Sequence, residues 1–380
     1  MQALHNTVTR ISIGALVVAL ATSAHADQVV KIGHFAPLTG MSAHVGKDDQ
    51  NGARLAIEEI NAKGLVIDGQ KIQLALVGED DAADPKTGTV VAQKLVDDGV
   101  VAVVGSDFSS TAIPASRIFS EAGITQISTG ATNPVYTLQG FKTTFRVVGT
   151  DAQQGPALAN YAVAALKVKS VAIVDDSTSY GQGLATEFEK RMKALGVKVV
   201  SHDATSDKAV DFRSVLTKIK GENPDVIMYG GEDAAGGPFA KQAMQLGIKA
   251  KILGGDGVCT ETLPQLAGQA IDKVICSEAG MALSKMPGGV EFQQKYKKRF
   301  GQPIEMYAPY AYDSVYIIVD AMKRADSTAT AKILAAMPAT NYKGVIGETV
   351  FNPQGDLQHG VISMFYYNKG VKTLIDIVKL

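Results

Sequence analysis

Only two cysteines, Cys259 and Cys276, occur in the 380 residues, too few for a disulfide scaffold. Lys and Arg number 37 against 38 Asp and Glu, a net charge of -1 that leaves no basic field for a phosphate backbone. Nucleic acid is therefore set aside as a partner. Motifs of cofactor chemistry are missing too: no G-x-G-x-x-G follows an apolar run, and no G-x-S-x-G elbow is present. Gly40 to Lys47 is no P-loop, because five residues separate its glycines and Asp48 stands where a hydroxyl should bind magnesium. His34, His44, His202 and His359 are in no metal-ligand spacing and are expected as surface or packing residues. No metal and no cofactor is expected.

What is present is core. Hydrophobic residues make up 46% of the chain and charged ones 20%, enough to exclude a disordered or fibrous class. The length predicts two domains of ordinary size, since a single core seldom grows beyond roughly 250 to 300 residues.

Residues 1–26 differ from the rest, with Arg10 their only charged residue, an apolar run from Ile11 to Ala21, and Ala24-His25-Ala26 before Asp27. This pattern predicts a cleaved secretory signal. As a helix the run rises only ~16 Å, short of a ~30 Å hydrocarbon core. No later window approaches 18 apolar residues, so a soluble, exported product is expected. Export permits a bridge between Cys259 and Cys276, and two buried free thiols are the alternative.

From Val29 onward, short apolar runs alternate with amphipathic stretches. VVKIGHFAPL reads as a strand, Asn51 to Ala62 as a helix with Ala53, Ile57 and Ile60 on one face, and IQLALVGEDD as a strand. A helix opened by Pro85, the strand VVAVVGS, a helix from Pro114 and the strand TQIST follow. After FRVVGTD the alternation restarts with SVAIVDD, and Gly196, Gly221 and Gly247 stand where C-terminal caps need positive φ. The pattern predicts an α/β chain with two doubly wound parallel-sheet lobes. In the tail, YAPYAYDSVYIIVDAMKRA is expected to complete the first lobe, with a shorter helix near Ala329 to Met337 and the strands GETVF and GVISMFYYN.

Open α/β sheets place ligands at the carboxyl ends of their strands. In the first half those ends run into Gly105-Ser106-Asp107-Phe108-Ser109-Ser110-Thr111 and Ser128-Thr129-Gly130-Ala131-Thr132. In the second they run into Asp175 through Tyr180, Gly230-Gly231-Glu232-Asp233 and Gly254-Gly255-Asp256-Gly257. One half offers hydroxyls and amides, the other carboxylates and a phenol. A zwitterion between them meets anion donors on one wall and cation acceptors on the other. The stripe Tyr307, Tyr310, Tyr312 and Tyr316 reads as core, with Tyr307 at its start placed to face the cleft.

HFAPLTG, NGARLAIEEINAKG, EDDAADPKTGTVVAQKLV, VVGSDFSSTAIPAS, the QGP at 154–156, AIVDDSTSYGQGLA and FNPQGDLQHG together resemble the periplasmic leucine-isoleucine-valine binding protein family, in one order over nearly the whole mature chain. The resemblance implies a type I periplasmic binding protein, the non-enzymatic substrate-binding subunit of an ABC importer. It also implies a small amino-acid ligand, an inner-membrane ABC permease as partner and a monomeric periplasmic protein. Its lobes would comprise residues 27–149 with 279–355, and 150–278 with 356–380, joined by three crossings near Gly149, Ala279 and Gly355.

By the same resemblance, Ser109 with the Thr132 backbone binds the ligand α-carboxylate. The Gly130 carbonyl, the Thr132 hydroxyl and Asp256 meet the α-ammonium, and Tyr180 closes from the second lobe. Glu232 stands where leucine-binding relatives carry a tyrosine, and His44-Val45 replace a pocket aromatic. Phe108 and Ala83 take the places of an early cysteine pair, so that disulfide is absent. Glu232 either points to solvent or favours a ligand of extra polar or cationic character. The candidate ligand-binding set is Phe108, Ser109, Gly130, Ala131, Thr132, Tyr180, Glu232, Asp256 and Tyr307. A receptor of the same fold for an amide, an aromatic acid or a γ-amino acid is the alternative.

Overall fold

Along Gln28–Ala36, Val30 and Ile32 turn to one buried layer and Phe35 to another. Such a strand must be covered on both faces, and it is. The computed structural model describes residues 27–379. The expected signal over residues 1–26 lies outside the described residues. Gln28–Ala36 pairs in parallel with Gln70–Asp80 and Ala102–Gly105, and Thr125–Ser128 and Thr144–Arg146 extend the sheet on one side. The short Leu65–Ile67 closes its other edge antiparallel, making six strands.

The second sheet has seven strands. Lys198–Ala204, Ser170–Asp175, Val226–Gly230, Lys251–Gly254 and Val274–Glu278 lie parallel in that spatial order. Val361–Asn368 and Val371–Lys379 then add an antiparallel hairpin. Its turn residues Lys369 and Gly370 have φ of 50° and 80°, the pair of left-handed residues that a tight type I′ turn requires. The α/β class holds, but both sheets are mixed at an edge, the first because Leu65–Ile67 folds back on Gln70–Asp80 and the second because the tail returns as a hairpin. The strand expected at GETVF forms as Glu348–Val350 and pairs with Asn341–Lys343 in a separate ribbon.

Helices begin earlier than their apolar periodicity suggested. The helix expected from Pro114 starts at Ser109 and runs to Glu121, with Pro114 inside it. Ala43–Lys63, Ser179–Ala194 and Asp233–Gln245 likewise begin almost at the strand ends. Gly196 and Gly247 do take positive φ, 74° and 73°. Gly221 does not: it lies inside Arg213–Glu222, and Asn223 supplies the left-handed cap at φ 48°.

Ala308–Ala325 packs on Ala43–Lys63 in the first layer, where a Cβ at Gly52 would strike the Ala308 carbonyl. The chain passes between the sheets at adjacent points, for the Gly149 N–H donates to the Ala279 carbonyl at 2.6 Å and the Arg146 N–H to the Gly355 carbonyl at 2.9 Å. Among the described residues no helix is long and apolar enough to cross a membrane.

Candidate functional site

Lys251–Gly254 ends in Gly255 and a single turn, Asp256–Val258, that carries a buried carboxylate. Asp256 is 2% exposed, and phenols reach it from both sheets. The Tyr180 hydroxyl, in the first turn of Ser179–Ala194, donates to Oδ1 at 3.1 Å, and the Tyr307 hydroxyl donates to Oδ2 at 2.8 Å. Tyr180 in turn accepts the Gly257 N–H at 2.9 Å. Gly255 must be glycine, since a Cβ there would sit 2.5 Å from the Tyr180 hydroxyl. Burial pushes the Asp256 carboxyl above its ordinary range, while the Tyr307 and Tyr180 donors hold it back.

Tyr307 is positioned from behind. Asp48, on Ala43–Lys63, accepts the N–H groups of Met306 and Ala308 at 2.9 and 3.0 Å, one on each side of the tyrosine. In front, the ring lies against Gly130, where a Cβ would be 2.9 Å from it and 2.7 Å from the Asp107 carbonyl. Gly130, Tyr307, Asp256 and Tyr180 therefore form one continuous chain of contacts across the two halves.

Around Gly130 stand the hydroxyls. Ser109 opens its helix with its Oγ accepting the Asn133 N–H at 3.2 Å. Thr132 Oγ1 is fully buried beside the buried Asp151 carboxylate, with no hydrogen bond of good geometry among the described residues. A buried hydroxyl left unpaired is costly, and a bound polar group relieves that cost. Ala131 contributes backbone only, since its side chain packs with Ala112 and Tyr136.

Glu232 precedes the helix Asp233–Gln245 and is half-buried; its carbonyl accepts the Gly236 N–H at 2.8 Å, while its carboxylate accepts no hydrogen bond among the described residues. Its Oε2 comes within 2.7 Å of where a Gly257 Cβ would stand, so the carboxylate turns inward. Burial first, then the charges of Asp176, Asp256, Asp233 and Asp107, push its titration well up. Phe108 and Glu232 share the lining of an adjoining cavity of about 370 Å³.

The cleft is shut. Asn133 Nδ2 donates to the Ser179 carbonyl at 2.6 Å, Ser179 N–H to Ser110 Oγ at 3.3 Å, and Thr262 Oγ1 to Glu305 at 2.9 Å. His44, expected as a surface or packing residue, instead meets Asp233 from the other side at 2.8 Å. Cys259 and Cys276 are bonded, with sulfurs 2.05 Å and Cα atoms 5.4 Å apart, which ties the end of the Asp256 turn to Val274–Glu278.

Sequence reasoning missed Arg146. Fully buried, it donates to the Ala131 and Asn133 carbonyls at 2.6 and 2.9 Å and to Asp356 at 2.8 Å, holding the Gly130–Thr132 loop in place. Its signal was a lone charge inside the apolar stretch FRVV.

The chain is 36% identical over 357 residues to Leu/Ile/Val-binding protein homolog 1 of Brucella melitensis, covering 94% of each. It is 37% identical over 345 residues to an amino acid binding protein of Pseudomonas aeruginosa, covering 90% of each. The branched-chain amino acid transporter substrate binding protein LivJ of Streptococcus pneumoniae, solved in complex with isoleucine, superposes with a TM-score of 0.85 at 28% identity, over 93% of this chain and 100% of that one. With residues 29–368 also matching the family model described as periplasmic binding protein, the chain belongs to the periplasmic binding protein family.

Proposed function

We propose that this protein is the substrate-binding component of an ABC-type amino-acid importer. It captures a small amino acid between its lobes in the periplasm, closes, and delivers the solute unchanged to an inner-membrane permease. The observation that carries this reading is Asp256, a buried carboxylate gripped by one phenol from each half, with Gly130 packed against the Tyr307 ring. In the open form Asp256 is free for an α-ammonium, and the Ser109 hydroxyl with the Thr132 backbone takes the α-carboxylate. Each charge-assisted hydrogen bond contributes ~1.5 to 3 kcal/mol, so a few support micromolar binding of about -8 kcal/mol after closure costs.

The lobes are 27–149 with 279–355, and 150–278 with 356–380, hinged near Gly149, Ala279 and Gly355. The backbone pairings at those glycines support this division. Capture by a monomer needs no bond-making step, and the site offers an acid and phenols rather than an activated nucleophile. Similarity to an amino acid binding protein and to isoleucine-bound LivJ supports the ligand class.

Isothermal titration against a panel of amino acids tests the reading. Asp256→Asn and Ser109→Ala are each expected to weaken binding at least tenfold while leaving the unliganded melting temperature nearly unchanged. Undiminished affinity in both variants, or a copurified ligand recovered in chemically altered form, refutes it.

A further inference from the structure

Beside the Asp256 centre opens a cavity of about 370 Å³ with Glu232 on its wall. Met41, Ala83 and Phe108 give it apolar surface suited to a methylene stem, while three carboxylates, Asp84, Asp207 and Glu232, line it against one cation, Lys208. Two of those carboxylates are occupied. Asp84 accepts the Thr87 N–H and hydroxyl at 2.8 and 2.9 Å, and Asp207 accepts the Ser206 hydroxyl at 2.9 Å. Lys208 is exposed, so water and salt screen its charge.

Glu232 differs from both. It is half-buried, its carboxylate lacks a partner among the described residues, and one oxygen lies against the Gly257 backbone while the group lines the cavity. Asp176, Asp256, Asp233 and Asp107 place further negative charge around it. An unpaired carboxylate in such a field is unfavourable, and a cation brought by the ligand removes the penalty.

We infer that the cleft selects an α-amino acid whose side chain ends in an ammonium, with Asp256 meeting the α-ammonium and Glu232 the terminal one. The inference rests on the amino-acid reading above and adds its substrate class. An aliphatic side chain fits the Met41 and Phe108 walls but leaves Glu232 unpaired. Discrimination therefore comes from the carboxylate, through the cost of leaving it alone.

Two matched pairs isolate that term: lysine with norleucine, and ornithine with norvaline, each differing by the terminal ammonium. In isothermal titration of the mature chain, each diamino acid is expected to bind at least tenfold more tightly than its partner. Glu232→Gln should erase the preference, weakening lysine and ornithine at least tenfold while norleucine and norvaline bind more tightly than before, the unpaired charge being gone. An unchanged thermal unfolding midpoint of the unliganded variant shows that it is folded, and Glu232→Leu should invert the order. If the wild type binds norleucine as tightly as lysine, this inference is overturned and the amino-acid reading stands. If none of the four, nor leucine, binds, both fall together.

Discussion

His44 Nε2 lies 2.8 Å from Asp233 Oδ2, and the two residues come from opposite sides of the cleft. Thr260 Oγ1 donates to the same Asp233 oxygen at 2.6 Å, fixing the carboxylate for its partner. Burial disfavours a charged imidazole here, but the Asp233 hydrogen bond and charge, with Glu305 nearby, outweigh it and raise the His44 titration above its ordinary value. The sign follows: a raised folded value means the pair's contribution is complete below the ordinary histidine value and is lost as pH rises through the raised one. Opening of the proposed hinge would part the two residues, so loss of the pair is expected to weaken closure. Ligand affinity is expected to be roughly fivefold higher at about pH 6 than at about pH 9, the size of a ~1 kcal/mol ion pair. His44→Gln serves as the control, since it keeps every other titration, including that of the ligand. A variant with the same pH profile as the wild type would remove His44 from the closing mechanism.

Arg146 serves the site without touching the proposed ligand. Its guanidinium satisfies two loop carbonyls and pairs with Asp356, 2.7 Å from Nη2, across more than two hundred residues of chain. Arg146→Met should lose ~1 to 3 kcal/mol in denaturant unfolding, because it leaves the Ala131 carbonyl without that donor and the half-buried Asp356 without its cation. Arg146→Lys should also be destabilised, since an ammonium cannot reproduce the planar fork. A loss below about 1 kcal/mol for the methionine variant would mean that the loop is held by something else.

The alternation of strands and helices was legible because strands buried on both faces appear as unbroken apolar runs, as in Ser170–Asp175 and Val226–Gly230. Helix starts were not. Ser109, Ser179 and Asp233 open helices within polar or glycine-containing stretches that carry no periodicity. Asp151–Ala164 escaped altogether, since Gly155 and Pro156 look like punctuation there. The glycine in fact permits close packing: a Cβ on it would come 2.7 Å from the Phe188 nitrogen. Among site residues, Ser109, Tyr180 and Asp256 could be found because they follow strand ends. The Asp48 support of Tyr307 and the contact of His44 with Asp233 depend on segments separated by 258 and 189 residues returning to one place, which no local pattern records.

The bond between Cys259 and Cys276 fixes the exit of the turn that presents Asp256. With a sequence separation of 17, closing this loop is expected to add ~3 kcal/mol of stability. The paired variant Cys259→Ala, Cys276→Ala should unfold at correspondingly lower denaturant and bind its ligand more weakly, since the Asp256 turn loses its anchor. Thiol titration of the unfolded wild type with and without reductant shows whether the bond is present. Unchanged stability on its removal would contradict the anchoring role.

Gly130 separates packing from binding most sharply. A methyl group there would stand 2.7 Å from the Asp107 carbonyl and 2.9 Å from the Tyr307 ring, so either the loop or the tyrosine must move. Overpacking of this kind costs ~1 to 3 kcal/mol. The easier displacement is that of the ring, which drags its hydroxyl from Asp256 and so disturbs the carboxylate proposed to receive the α-ammonium. Gly130→Ala is therefore expected to reduce affinity more than tenfold, while Gly140→Ala, with nothing within 4 Å of its Cβ but a φ of 86°, should lose stability alone. Titration and thermal unfolding of the two variants side by side distinguish the effects. Equal affinities would show that Tyr307 is not the residue through which this glycine acts.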